Sequence, residues 1–238
     1  MARKYNRTLG RGPVRAVPGP TRATTVQHRT ARVPVYFRHP LQAYIPMIKA
    51  VKSDRALVVA ILAGSFENNK SVNYIVQQDK RRLERMRALM EYSFDVCYLF
   101  GEVWLSADQK ACALILFPQL KKTTLVSTWL DIKLIFKAIG IGRIQTALQR
   151  ESKIKKLQLP GEMCYLWFIG VSTESQHQGI GSKLLAAVLS YADQKRLPVC
   201  LETSTLKNIP WYEHFGFKLY NQLELGYTLY FLKKEPGK

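Results

Sequence analysis

Two periods of apolar and polar residues succeed one another along the chain from Met47, and the places where one gives way to the other mark the elements. Met47-Ile48-Lys49-Ala50-Val51 alternates like a strand. Leu57, Val58, Ile61 and Leu62 then form one helical stripe, with Asp54 placed to cap it. A loop through Asn68, Asn69 and Lys70 leads to a second helix over residues 79–92, whose apolar side is Leu83, Met86, Leu89 and Met90. Arg81, Arg82, Arg85 and Arg87 face elsewhere, either as a solvated face or as a stripe for nucleic acid, although no aromatic platform accompanies them. Residues 97–105 and 110–117 read as a hairpin turning at Ala107-Asp108-Gln109, and Pro118 ends its second strand.

Residues 124–157 read as two helices broken near Gly140 and Gly142, which either cover a ligand cleft or simply pack. Strand 163–171 follows, then helix 179–194 with Leu184, Leu185, Val188, Leu189 and Ala192 on its buried face. Another strand at 198–202, a short helix at 208–215 and two antiparallel strands at 216–220 and 227–232 close the pattern. The order predicts a mixed α/β fold with a strand–helix–strand unit at its centre.

Residues 1–46 lack this periodicity. Pro13, Pro18, Pro20, Pro34, Pro40 and Pro46 interrupt any regular element, so the segment reads as a flexible basic tail, or as an upstream extension of a protein beginning at Met47. Residues 47–238 form the expected domain. The tail holds nine Lys or Arg and no acid, leaving 27 basic and 17 acidic residues in the rest of a chain whose formal charge is +19. Such a body favours anionic ligands, nucleic acid or an anionic membrane surface without choosing among them.

An apolar fraction of 47% is enough for a core and excludes global disorder. Cys97, Cys112, Cys164 and Cys200 lie far apart and form no CxxC pair, which points to buried thiols in a reducing, cytoplasmic setting. The most apolar stretch, residues 125–141, is broken by Asp131, Lys133 and Lys137, so no membrane span is expected, and no secretory signal opens the chain. With four histidines and four isolated cysteines, no metal-ligand spacing recurs.

The chemistry concentrates at Gln176-His177-Gln178-Gly179-Ile180-Gly181-Ser182-Lys183, a polar loop between a strand and a helix. A P-loop would need GxxxxGK followed by Ser or Thr, and a dinucleotide fold would need a third glycine and a later acid; neither is present. What remains is Gln-x-x-Gly-x-Gly. Its glycines let the backbone approach phosphate oxygens, and the helix N-terminus supplies unpaired donors. Lys183 adds charge at the rim or is an ordinary exposed lysine; His177 and Gln178 contribute through backbone more than side chain.

In this loop the chain resembles the GNAT superfamily of N-acetyltransferases, whose members bind the acetyl-coenzyme A pyrophosphate at such a strand–loop–helix. Gln176, Gly179 and Gly181 carry the resemblance, together with Asn208-Ile209-Pro210-Trp211-Tyr212-Glu213-His214-Phe215-Gly216-Phe217. Leu201-Glu202-Thr203-Ser204 resembles the puromycin-acetyltransferase-like branch, whereas Glu162-Met163-Cys164 stands where that branch often carries a His. The resemblance implies a mostly antiparallel central sheet flanked by helices, with a splayed strand pair forming the acyl-coenzyme A cleft. It implies that Phe168, Ile169, Gly170 and Val171 line the pantetheine arm, that residues 176–183 hold the pyrophosphate, and that Asn208 and Tyr212 touch the cofactor.

The implied reaction is transfer of an acetyl group from acetyl-coenzyme A to a small-molecule amine. Tyr212 would protonate the departing thiolate, or its ring would merely pack. Glu202 is the first choice of base, followed by Glu102 and Glu162, and each has a structural or solvent-facing alternative. His177 and His214 are poorer bases, and His28 and His39 lie in the tail. Two competing readings are a basic nucleic-acid-binding protein, for which no specific motif is present, and a catalytically silent acyl-coenzyme A sensor. The expected state is a monomer or homodimer.

Overall fold

The computed structural model describes residues 35–39 and 42–237, with side chains from Met47 onward. Its strands are β1 (Val35–His39), β2 (Gln42–Lys49), β3 (Gly101–Ser106), β4 (Ala111–Leu116), β5 (Cys164–Val171), β6 (Val199–Thr203), β7 (Lys218–Glu224) and β8 (Thr228–Lys234). The helices are α1 (Arg55–Ser65), α2 (Lys70–Ile75), α3 (Arg82–Phe100), α4 (Leu125–Leu134), α5 (Ile144–Leu157), α6 (Ile180–Gln194) and α7 (Ile209–His214). The strands form one sheet in the order β1-β2-β3-β4-β5-β6-β8-β7. Every neighbouring pair is antiparallel except β5–β6, which α6 connects. This is the mixed α/β order that the residue pattern predicts, with the mostly antiparallel, helix-flanked sheet that the resemblance implies.

β4 shows why the sheet is covered on both sides. It is buried along its whole length, as the unbroken run Ala-Cys-Ala-Leu-Ile-Leu requires. Ala111, Ala113 and Ile115 pack with Leu184, Leu185 and Val188 of α6. Cys112, Leu114 and Leu116 pack with Leu62 of α1 and with Met90 and Phe94 of α3. Each large side chain so buried contributes roughly 1.5–3 kcal/mol relative to exposure.

Three expectations need correction. The hairpin does not begin at Cys97: α3 continues to Phe100, because Cys97 and Phe100 are buried while Tyr98 and Leu99 are exposed, a helical period and not a strand's. Asp54 caps no N–H of α1; its carboxylate accepts from the Val51 N–H at 2.9 Å and closes a 3-10 turn that precedes the helix. The second helix starts at Arg82, later than residue 79. β2 includes residue 46 and pairs with β1, so paired backbone reaches back to Val35. The tail reading of residues 1–34 lies outside the described residues.

Two irregularities in β5 shape the sheet at its centre. Leu114 pairs with Phe168 and Ile115 with Leu166, so Trp167 is an extra residue, a β-bulge. It reverses the alternation: Leu166 faces α6, whereas Phe168 faces α1 and α3. Beside it, β5 pairs with β6 only at Cys164–Val199 and Tyr165–Cys200, after which the strands separate. The expected splayed pair is therefore present.

The passage from α3 to β3 has no linking loop and depends on Gly101. A Cβ at that position would stand 2.0 Å from the carbonyl oxygen of Ile115 on the partner strand. Gly101→Ala is expected to destabilise the domain by about 3 kcal/mol or more, because backbone and not a flexible side chain blocks the space. Chemical denaturation measures this; an unchanged midpoint would contradict the register given for β3 and β4.

Candidate functional site

The far end of β5 is fixed before the polar loop begins. The Ser65 hydroxyl of α1 donates to the Val171 carbonyl at 2.7 Å. Gly170 permits this approach: a Cβ there would meet Leu62 Cδ2 and Ser65 Oγ, each at 3.0 Å. A 3-10 turn at Thr173–Ser175 comes next, and His177 and Gly179 then take φ of 62° and 75°. These left-handed residues turn the chain so that α6 starts at Ile180.

The consequence is a row of open donors. Among the described residues, no acceptor meets the N–H groups from Gln176 to Ser182, and the first bond of α6 runs from the Lys183 N–H to the Gly179 carbonyl at 3.0 Å. Gln176, His177, Gln178 and Gly179 are exposed. The side-chain amides of Gln176 and Gln178 lean back toward the loop's own carbonyls of Val171 and Glu174, at 3.4 Å, so the loop presents backbone to solvent. Nothing lies within 4 Å of a Cβ placed at Gly179, while one at Gly181 would sit 3.2 Å from Val171 Cγ2. A helix N-terminus with free donors and open space before them is a cradle for an anion. Lys183 is exposed at its edge. Ser182 differs from its neighbours in that its hydroxyl accepts from Trp211 Nε1 at 3.0 Å, which docks α7 beside the start of α6.

Below the cradle lies the open edge of β5. Of the residues expected to line it, Ile169 and Val171 pack toward α6, while the Phe168 ring meets Phe66 edge-on at 5.0 Å on the opposite face. These four residues share a stretch of backbone, not a wall of side chains.

Tyr212 is buried on the α6 side, its ring centroid 4.8 Å from that of Trp211 and 5.5 Å from that of Phe217. Its hydroxyl has no hydrogen-bond partner among the described residues, and burial pushes its pKa upward, so the phenol keeps its proton. Asn208 is exposed at the start of α7, and its side chain caps no helical N–H.

Glu202 stands on the other face of the sheet. The Tyr165 hydroxyl donates to one carboxylate oxygen, and Gln158 Nε2 donates to the other at 3.0 Å. Burial raises this carboxyl above its usual range, partly offset by those two hydrogen bonds. Around it lies a polar group that the sequence did not reveal: Arg150 of α5 donates to Ser71 Oγ at 2.7 Å and to the Tyr227 hydroxyl at 3.1 Å. The Ser71 N–H donates in turn to Ser204 Oγ at 3.3 Å. Only the parallel pairing gives a signal for part of it: Tyr165 opposite Cys200 places Glu202 two residues on, along the same face.

The other candidates lie elsewhere. Glu102 is on β3, ion-paired with Lys49 at 2.9 Å, and Glu162 is exposed before β5. All four cysteines are buried and free, with burial pushing Cys164 to about 12 and Cys200 to about 11, so none is a poised nucleophile. Arg81, Arg82 and Arg85 are matched by Glu84, Glu67 and Asp79 at 2.8, 3.3 and 2.6 Å, which is the solvated, ion-paired face and not a stripe of free charge. Among the described residues no group of three or more His, Cys, Asp or Glu could hold a metal ion.

Comparison with known proteins bears on the fold that carries this site. The profile described as an acetyltransferase (GNAT) domain matches residues 134–219. An uncharacterized N-acetyltransferase of Schizosaccharomyces pombe is 47% identical over 53 residues, which is 22% of this chain and 22% of that protein. The matched part thus spans about a fifth of that relative's length. The solved structure of histone acetyltransferase HPA2 and related acetyltransferase from Corynebacterium glutamicum superposes with a TM-score of 0.59 at 16% identity, covering 81% of this chain and 96% of that one. The C-terminal condensation domain of Ebony, in complex with beta-alanyl-dopamine, gives the same TM-score at 10% identity, covering 79% and 97%. Sheet order and splayed strands give the described residues the fold of these acetyltransferase structures, and residues 134–219 carry the match to the GNAT profile.

Proposed function

We propose that this chain transfers an acetyl group from acetyl-coenzyme A to a primary amine of a small-molecule acceptor, by direct attack in a ternary complex. The observation that carries the reading is the row of N–H groups from Gln176 to Ser182, without an acceptor among the described residues, at the mouth of the splayed β5–β6 pair. Backbone donors at a helix N-terminus suit the pyrophosphate, and the unpaired edge of β5 suits the amides of the pantetheine arm. Asn208 would hold the arm from α7.

Tyr212 and Glu202 divide the proton work between the two faces of the sheet. The amine nitrogen attacks the thioester carbonyl, a β5 N–H near Ile169 or Val171 polarises that carbonyl, and the carbon–sulfur bond breaks. Tyr212 gives its proton to the departing thiolate. Glu202 takes the amine's proton, directly or through water. Leu201-Glu202-Thr203-Ser204 supports placing the chain near the puromycin-acetyltransferase-like branch, whereas Glu162-Met163-Cys164, where that branch often carries a His, departs from it.

A panel of amines assayed for thiol release with acetyl-coenzyme A tests the proposal, and turnover with at least one amine is expected. Gly181→Glu should weaken acetyl-coenzyme A binding about 100-fold, because a carboxylate enters the phosphate cradle. Unaltered affinity would overturn the site.

Tyr212→Phe should lower kcat about 100-fold with cofactor affinity unchanged, the usual size of a general-acid contribution. Full turnover in that variant would reduce Tyr212 to a packing residue.

Glu202→Gln should abolish the acidic limb of the kcat/KM profile, which in the wild type rises as the raised carboxyl ionises. A stability comparison checks the same group. A carboxyl with a raised folded-state pKa favours the fold at low pH and loses that advantage as pH rises through the raised value. Glu202→Gln should therefore gain in Tm relative to the wild type on going from acid to neutral pH. A variant that instead loses Tm relative to the wild type over that interval would contradict the assigned burial.

A further inference from the structure

We infer that α4, continued by the π turn Ile135–Ile139, docks on the surface of an anionic phospholipid bilayer. Leu125, Trp129, Ile132 and Phe136 recur at i, i+4, i+7 and i+11, which places them on one helix face. They are 92%, 61%, 39% and 62% exposed. Single exposed apolar residues are ordinary, but a full stripe with two large aromatics is not. The opposite side of α4 is already satisfied: Ser127 and Leu130 are buried, and Asp131 accepts from the Tyr92 hydroxyl of α3 at 2.7 Å. The helix thus rests on the domain through Ser127, Leu130 and Leu134 and turns a second apolar stripe, with its two aromatics, outward, where a helix built to face water alone would carry polar residues.

Charge selects the occupant. Lys121 and Lys122 precede the stripe along the chain, Lys133 and Lys137 lie on its flank above a hollow shared with Arg55, Glu91 and Asp95, and Asp131 is the one acid between Pro118 and Arg143. Apolar and aromatic groups between lysines match an interface of acyl chains beneath anionic headgroups. A second copy of the chain would bring the same lysines against one another across a two-fold interface, which opposes self-association. No helix among the described residues is long and apolar enough to cross a membrane, so the attachment is peripheral. Nothing in this attachment requires the acyl-transfer reading.

Co-sedimentation of the full chain with phosphatidylcholine vesicles, with and without phosphatidylserine, tests it. Binding to the phosphatidylserine vesicles, weakened by salt, is expected. Trp129→Ser with Phe136→Ser should reduce the partition at least about tenfold, the factor that losing one large buried apolar group removes. Leu125→Asp, at the most exposed position, should act in the same direction, with circular dichroism and acetyl-coenzyme A affinity unchanged in all variants. Wild-type binding by folded stripe variants would assign the attraction to basic residues elsewhere and overturn the inference. So would failure of the wild type to bind either vesicle, or self-association that the stripe variants abolish without any vesicle binding.

Discussion

The site depends on a ladder that stops early. β5 and β6 share two paired positions and then diverge, while each keeps its other neighbour along the strand. A sheet that parts in this way leaves main-chain donors and acceptors facing a gap, and such groups inside a protein require partners. A ligand with amides of its own can supply them. The bulge at Trp167 lies just where the parting begins, and the added twist of a bulge is the local means by which one strand can leave another. The anchoring of Val171 by Ser65 then fixes the end of the diverging strand, so the loop after it begins from a set position.

From that parting comes the separation of the two titratable groups. Tyr212 belongs to the layer of α6 and α7, and Glu202 to the layer that α1, α3 and α5 cover. Burial acts on both in the same sense, favouring the protonated form, but with opposite chemical value. A phenol that keeps its proton is a donor, whereas a carboxyl with raised affinity for protons is a better acceptor once ionised. The hydrogen bonds from Tyr165 and Gln158 hold the carboxylate in place and keep that shift from growing further.

Much of this is legible in the residues. The unbroken apolar run of β4 and the stripe of α6 each state a local physical requirement, and the structure meets them. Cys97-Tyr98-Leu99-Phe100 misleads because a short apolar run has no decisive period; only the burial of its ends and the exposure of its middle identify it as helix. The polar group around Glu202 is illegible for a different reason. Arg150, Ser71, Tyr227 and Gln158 come from separate segments, and nothing in any one of them announces the others. The bulge is equally hidden, since one additional residue in a strand leaves no mark in composition.

Among the described residues nothing engages the N–H groups between Gln176 and Ser182, and a pyrophosphate is the group proposed to engage them. Amide hydrogen exchange of the full chain with and without coenzyme A reads their state residue by residue. Rapid exchange is expected at these residues in the free protein, with marked protection when coenzyme A is added. Dephospho-coenzyme A, which retains the pyrophosphate, should act likewise. Slow exchange there in the free protein, or no change while other regions become protected, would contradict the assignment of the loop.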